Sequence, residues 1–192
     1  MKQTVAIVAS ILGGVLLAGC GPTNAAGPDA GPPFDIKTAF PADQAITGWE
    51  QDTTLDSTTG PVVYATAKAV DDSDIDGDVV PFTDVGFSQL AREHFKSEAY
   101  TLDLRVWQMN ADTKGKTIYE SILLTSRYKI ITFTDQAIGT AGRSGNSGTM
   151  WRVNSYKGAY FVEAMLSLSE EPDTAGRDDA IKFVKYAVEK LP

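Results

Sequence analysis

The chain contains one cysteine, Cys20, and that residue stands next to its most apolar stretch. A lone thiol cannot form an intramolecular disulfide, so whatever folds here must stand on a hydrophobic core alone. Upstream lie Met1-Lys2-Gln3, a short positive start, and an apolar run from Val5 to Ala18. Gly19-Cys20-Gly21 follows directly. The run falls short of the roughly 20 apolar residues that a spanning helix needs. Its length and flanks are those of a secretory signal h-region.

The segment Leu16-Leu17-Ala18-Gly19-Cys20 resembles the lipobox of bacterial lipoproteins. That resemblance implies cleavage before Cys20, residues 1–19 being the signal peptide, and acylation of the Cys20 thiol. An ordinary secretory leader with a coincidental cysteine is the competing reading. Each buried methylene of an acyl chain contributes about 0.8 kcal/mol, and two or more chains hold a protein stably at a bilayer. An acylated Cys20 leaves no thiol for a disulfide, a metal or a nucleophile. Lipoproteins retained at the inner membrane commonly carry aspartate after the cysteine. Gly21 stands there instead, so the expected address is the outer membrane, facing the periplasm or the cell surface.

Residues 21–33 contain seven glycines and prolines in thirteen positions and no large apolar side chain. Such a segment cannot bury enough surface to offset the entropy of ordering. With Cys20 it reads as a disordered tether, residues 20–33, reaching roughly 40 Å at about 3.1 Å per residue. Residues 34–192 then form one domain of ordinary size. The chain's net charge is −8, and cleavage would remove Lys2 and no acid, making it one unit more negative. An acidic chain is a poor partner for nucleic acid.

The domain reads as α+β, an antiparallel sheet with helices packed on it. Leu102, Leu104 and Val106 alternate with Asp103, Arg105 and Trp107, predicting a strand with one buried face. Lys129–Thr134, Thr149–Asn154 and Ala159–Leu166 are further strand candidates, the last two joined by a turn at Ser155-Tyr156-Lys157-Gly158. Asp112–Ser126 is expected to be helical, with Ile118, Ile122 and Leu123 on one face. Ile181, Val184, Val188 and Leu191 mark an amphipathic C-terminal helix, with a start signal at Pro172-Asp173-Thr174.

Several stretches of the middle of the chain resemble an uncharacterised family of bacterial secreted and lipid-anchored domains. They are Gly48-Trp49, Ile75-Asp76-Gly77 with Phe82 and Val85-Gly86-Phe87, Leu104–Met109 with Ile118-Tyr119, and Tyr156–Val162. The chain departs from that pattern at Val85, where the family has tyrosine, and after Met109. The resemblance implies an antiparallel sheet with flanking helices, as in some lipid-anchored and photosystem-associated accessory proteins. It implies no activity, cofactor or site residue.

Chemistry-bearing patterns are few. His94 reads as a solvated histidine on a strand face; one histidine and no free thiol make a zinc or transition-metal site a poor expectation. The glycine-rich stretch Gly139–Gly148 holds no nucleophile elbow and no phosphate loop, and is expected to be a loop. Asp72, Asp74, Asp76 and Gly77 match the first half of an EF-hand calcium loop. Thr83 stands where a bidentate glutamate is needed and Pro81 interrupts the loop, so an acidic surface loop is the preferred reading. Trp49, Trp107 and Trp151, with Tyr156 and Tyr160, are core candidates that could also line a cleft for a glycan or apolar ligand.

The leading expectation is therefore a non-enzymatic, lipid-anchored envelope domain. It would touch the membrane through its lipid and bind a partner protein or small ligand, with no cofactor and no metal. Two other classes compete. One is a carboxylate-dependent hydrolase of envelope glycans, for which Asp103 and Glu163 are conceivable members. The other is a calcium-stabilised structural module.

Overall fold

The computed structural model describes residues 33–55, 59–73, 75, 79–121, 129–131, 142–146, 150–168 and 174–192. Residues 1–32, where the leader, Cys20 and most of the tether are expected, lie outside the described residues, as do Asp74, Asp76, Gly77, Ile122, Leu123, the end of the strand candidate at residues 132–134 and the helix start signal at Pro172-Asp173. Phe34–Pro192 forms one compact unit. Among the described residues, no helix is long and apolar enough to cross a membrane.

The class is α+β. Eight strands among the described residues are β1 (Glu50–Gln51), β2 (Val62–Tyr64), β3 (Phe87–Lys96), β4 (Tyr100–Met109), β5 (Lys129–Ile131), β6 (Gly142–Asn146), β7 (Met150–Lys157) and β8 (Tyr160–Leu168). They pair antiparallel in the order β1-β3-β4-β8-β7-β6-β5, and β2 also pairs with β3. The last strand is therefore inserted beside β4, at the centre of the sheet. Helices α1 (Ala67–Asp71), α2 (Val80–Val85) and α3 (Lys114–Ser121) precede the long C-terminal α4 (Thr174–Lys190).

Alternate residues of a strand point to opposite faces, and the two faces of this sheet have different covers. On one face α4 lies over β7, β8 and β4. Its Ala180, Phe183, Val184, Ala187 and Val188 pack with Leu102, Leu104, Val106, Val162, Ala164 and Leu166 in one apolar core. Leu191 is buried just beyond the end of the helix. The other face is covered over one end of the strands. There Val70, Val79, Phe82 and Ile118 from the short helices and loops meet Leu90, Trp107 and Phe161 of the sheet. Phe82 stacks on Trp107 with centroids 3.6 Å apart.

Gly86 holds that second layer in place. It caps α2 with φ +112°, and its N–H donates to the Phe82 carbonyl at 3.0 Å. A Cβ there would stand 2.5 Å from Asn110 Oδ1, so glycine satisfies both the left-handed conformation and the close approach.

Four local expectations are revised. The strand at Leu102–Val106 has buried side chains on both faces in its middle, because Arg105 and Trp107 are buried as well. The β7–β8 turn falls at Gly158-Ala159 rather than Ser155–Gly158. Lys157 still pairs with Tyr160, and Gly158 supplies the positive φ of +54° that a two-residue hairpin requires. The expected loop at Gly139–Gly148 contains a strand, Gly142–Asn146, drawn into the sheet by β7. The helix expected over Asp112–Ser126 begins at Lys114 rather than Asp112, is described to Ser121, and its expected end at residues 122–126 lies outside the described residues.

Candidate functional site

The half of the second face that the short helices leave uncovered is built of charge. Arg92 pairs with Arg105 and His94 with Asp103 across the β3–β4 hairpin. On the next strand Glu163 stands opposite Arg105 and Met165 opposite Asp103. On β7, Asn154 faces Glu163 and Arg152 faces Met165. All share one side of the pleat. Arg92, His94, Arg105, Asn154 and Glu163 are buried.

Asp103 is the hub. Arg92 Nε donates to Oδ1 and Oδ2, each at 3.1 Å, and Arg92 Nη2 lies 3.0 Å from Oδ2. From its own strand, Arg105 Nε and Nη2 donate to Oδ2 at 3.0 and 2.7 Å. His94 Nε2 lies 3.9 Å from the same oxygen. Burial by itself pushes the Asp103 carboxyl up. The Arg105 charge, together with the charge and hydrogen bonds of Arg92, outweighs burial and holds it below the usual 3.8. Beside this hub, Arg152 pairs with Glu163, which also accepts from Asn154 Nδ2 at 3.3 Å. Asn154 Oδ1 and Trp107 Nε1 have no hydrogen-bond partner among the described residues. Each such omission costs about 1–3 kcal/mol.

Over the hub opens a cavity of about 320 Å³. Arg92, His94, Asp103 and Arg105 form its polar side, and the half-buried Met150 and Met165 an apolar one. Thr101 and Ser167, both exposed, and Leu55, 59% exposed, stand at its rim. Apolar walls around a few convergent polar groups, one with a displaced pKa, are what small-ligand sites commonly consist of.

The three tryptophans are not brought together, and all three are core residues. Trp107 is 2% exposed under Phe82, and Trp151 is 3% exposed in the α4 core. Trp49 stacks on Tyr100, meets Phe183 edge-on and donates from Nε1 to Asp179 Oδ2 at 3.2 Å. It also borders a shallow cleft of about 650 Å³ with Gly48, Lys96 and Glu98, but at 4% exposure it presents little ring surface there. Tyr156 packs on Tyr119, and Tyr160 on Phe34.

His94 is a correction: it is 7% exposed, not solvated, because it lies against the Asp103 carboxylate among the interlocked charged side chains of this half-face. Asp72 caps α1 and pairs with Lys68 at 2.6 Å. Asp103 lines the cavity, whereas Glu163 is 1% exposed and held by Arg152. The arginines were the residues that sequence reading passed over. No sequence signal marks them: Trp107 shares the polar side of β4 with Asp103 and Arg105, but it lies under Phe82 in the half that the short helices cover.

No protein-family model, curated protein or solved structure gives a significant match to this chain.

Proposed function

We propose that this protein is a lipid-anchored cell-envelope domain that binds a small ligand in the cavity above Asp103. The observation that carries the binding role is the cavity itself, set over a buried Arg92–Asp103–Arg105 cluster. Replacing buried ion pairs with apolar residues is often neutral or stabilising. A fold that needed only a core would do as well with leucine at these positions. Retained charge beneath an opening is economically read as a binding device.

The anchor rests on the lipobox-like Leu16–Cys20 and the Gly/Pro-rich stretch behind it. Gly21 favours the outer membrane. Phe34 packs on Tyr160 at the β7–β8 turn, so the chain enters the domain at one end of the strands. The cavity, at Thr101 and Ser167, lies about 25 Å away along β4 and β8 at the usual rise per residue.

Two measurements test this reading. Cells given an alkyne fatty acid should label the wild type and not Cys20→Ala; equal labelling refutes the anchor. In the Cys20→Ala chain, a ligand screen read by backbone NMR should shift Thr101 and Ser167 together while leaving α4 unmoved. Ligands that shift only residues elsewhere refute the cavity as the site.

A further inference from the structure

We infer that the cavity takes a small monoanion, a carboxylate on a short apolar body. This rests on the cavity being the binding site and adds the chemistry of what enters it. The charged groups that line it are two guanidiniums and one carboxylate, with one imidazole beside them, and the adjacent Arg152–Glu163 and Lys96–Asp52 pairs carry both signs. Their sum is one positive charge, before any contribution from His94, in a chain whose net charge is −8. The cavity therefore runs against the electrostatic trend of the molecule. Few charges of low exposure surrounded by apolar atoms act more strongly than the same charges in water.

Arg105 is the group best suited to meet the ligand. A guanidinium carries five N–H donors in a rigid planar fork matched to a carboxylate. Asp103 engages Nε and Nη2 of Arg105, and the Nη1 corner is not engaged by that carboxylate. The Arg105 side chain is 7% exposed, so little water competes for it. Thr101 and Ser167 add hydroxyl donors at the rim.

The body of the ligand is set by the opposite wall. Met150 and Met165 lie on neighbouring strands, and Leu55 projects at the rim. Thioether side chains are flexible and polarisable, and they adapt to an aliphatic chain. A volume of about 320 Å³ lies at the lower end of small-ligand sites. It suits a short acyl carboxylate and is cramped for a nucleotide. One surplus positive charge balances one negative charge, which selects a monoanion over a phosphate diester chain or a dicarboxylate.

The test uses the full chain with Cys20→Ala and methyl-labelled methionine. The four methionines include a control, because Met109 is buried in the core beneath α2 and α3. Octanoate, octanol and octylammonium are titrated separately. Octanoate should shift the Met150 and Met165 methyls and leave Met109 unmoved. It should bind about ten-fold tighter than octanol, with octylammonium weakest. Arg105→Gln should bring octanoate to the level of octanol, and Arg105→Lys should restore part of the difference. Thr101→Glu alters an exposed rim position that the core does not use, so it separates charge from folding. It should weaken octanoate about ten-fold and octanol much less.

Equal binding of octanoate and octanol overturns the anion inference and leaves the cavity as a binding site. Octanoate binding unmoved by Thr101→Glu has the same consequence. If none of the three probes shifts Met150 or Met165, both the inference and the binding reading fall.

Discussion

The two faces of one sheet are built on opposite principles. Beneath α4 the strands present Leu102, Leu104, Val106, Val162, Ala164 and Leu166, with Glu93 and Ser155 the buried polar residues on that side, and the helix contributes Ala180, Phe183, Val184, Ala187 and Val188. Across the same strands, one residue out of phase, apolar packing stops after Leu90, Trp107 and Phe161. Beyond that point Arg92, His94, Asp103, Arg105, Arg152 and Glu163 take over. Burial of apolar area stabilises at about 25 cal/mol per Å². Buried ions return little net stability, because desolvation offsets their attraction. The α4 face thus maintains the fold, and the charged half-face is where the molecule can afford a site.

That contrast can be broken by mutation. The largest effect is expected from Phe183→Ala, which should destabilise by about 4 kcal/mol in urea unfolding while leaving any ligand affinity of the folded protein unchanged. A loss of affinity at the cavity would mean the faces are not separable. Asp103→Ala should cost about 3 kcal/mol, because two guanidiniums lose their shared carboxylate. If instead stability is unchanged, the hub is not buried as described.

Gly86→Ala should cost about 1–2 kcal/mol, through its positive φ and the contact with Asn110. That change should loosen the layer of short helices, read as faster amide exchange in α2 than in α4. By contrast, the double replacement Arg152→Met with Glu163→Leu should shift stability by no more than about 1 kcal/mol. A much larger loss would show that the charged half-face also maintains the fold.

Acid provides a graded version of the comparison. The Asp103 carboxyl is held below 3.8 in the folded chain. Its contribution is complete above the unfolded value and is lost as pH falls through the lower folded one. Unfolding free energy measured across that acid window should fall, and Asp103→Asn should flatten the slope. The smallest effect belongs to Lys68→Ala. Its pair with Asp72 is 80% and 62% exposed, so no more than about 0.5 kcal/mol should be lost.

Much of the architecture was legible in the residues. The α+β class followed from short alternating runs and one amphipathic helix, and Leu102, Leu104 and Val106 do line the α4 core. Ile181, Val184, Val188 and Leu191 did mark the C-terminal helix and the residue beyond it. The β7–β8 turn was read two residues early, since Ser155 and Tyr156 look like turn residues until their pairing with β8 is known. Gly142–Asn146 carries no strand signal of its own and pairs because β7 offers an edge.

The candidate site was far less legible. Alternation says that Asp103 and Arg105 oppose Leu102 and Leu104. It does not say whether the polar side meets water. Arg92 lies on a different strand, and its approach to Asp103 depends on hairpin register. Met165 and Glu163 join only because β8 inserts beside β4. The single cysteine by itself required a fold without disulfides, held by apolar periodicity that any reader of the chain can count. Where charge would be buried was decided by the tertiary structure alone. Burial depends on which surfaces the long-range strand order brings together, and a linear pattern holds no record of that distance.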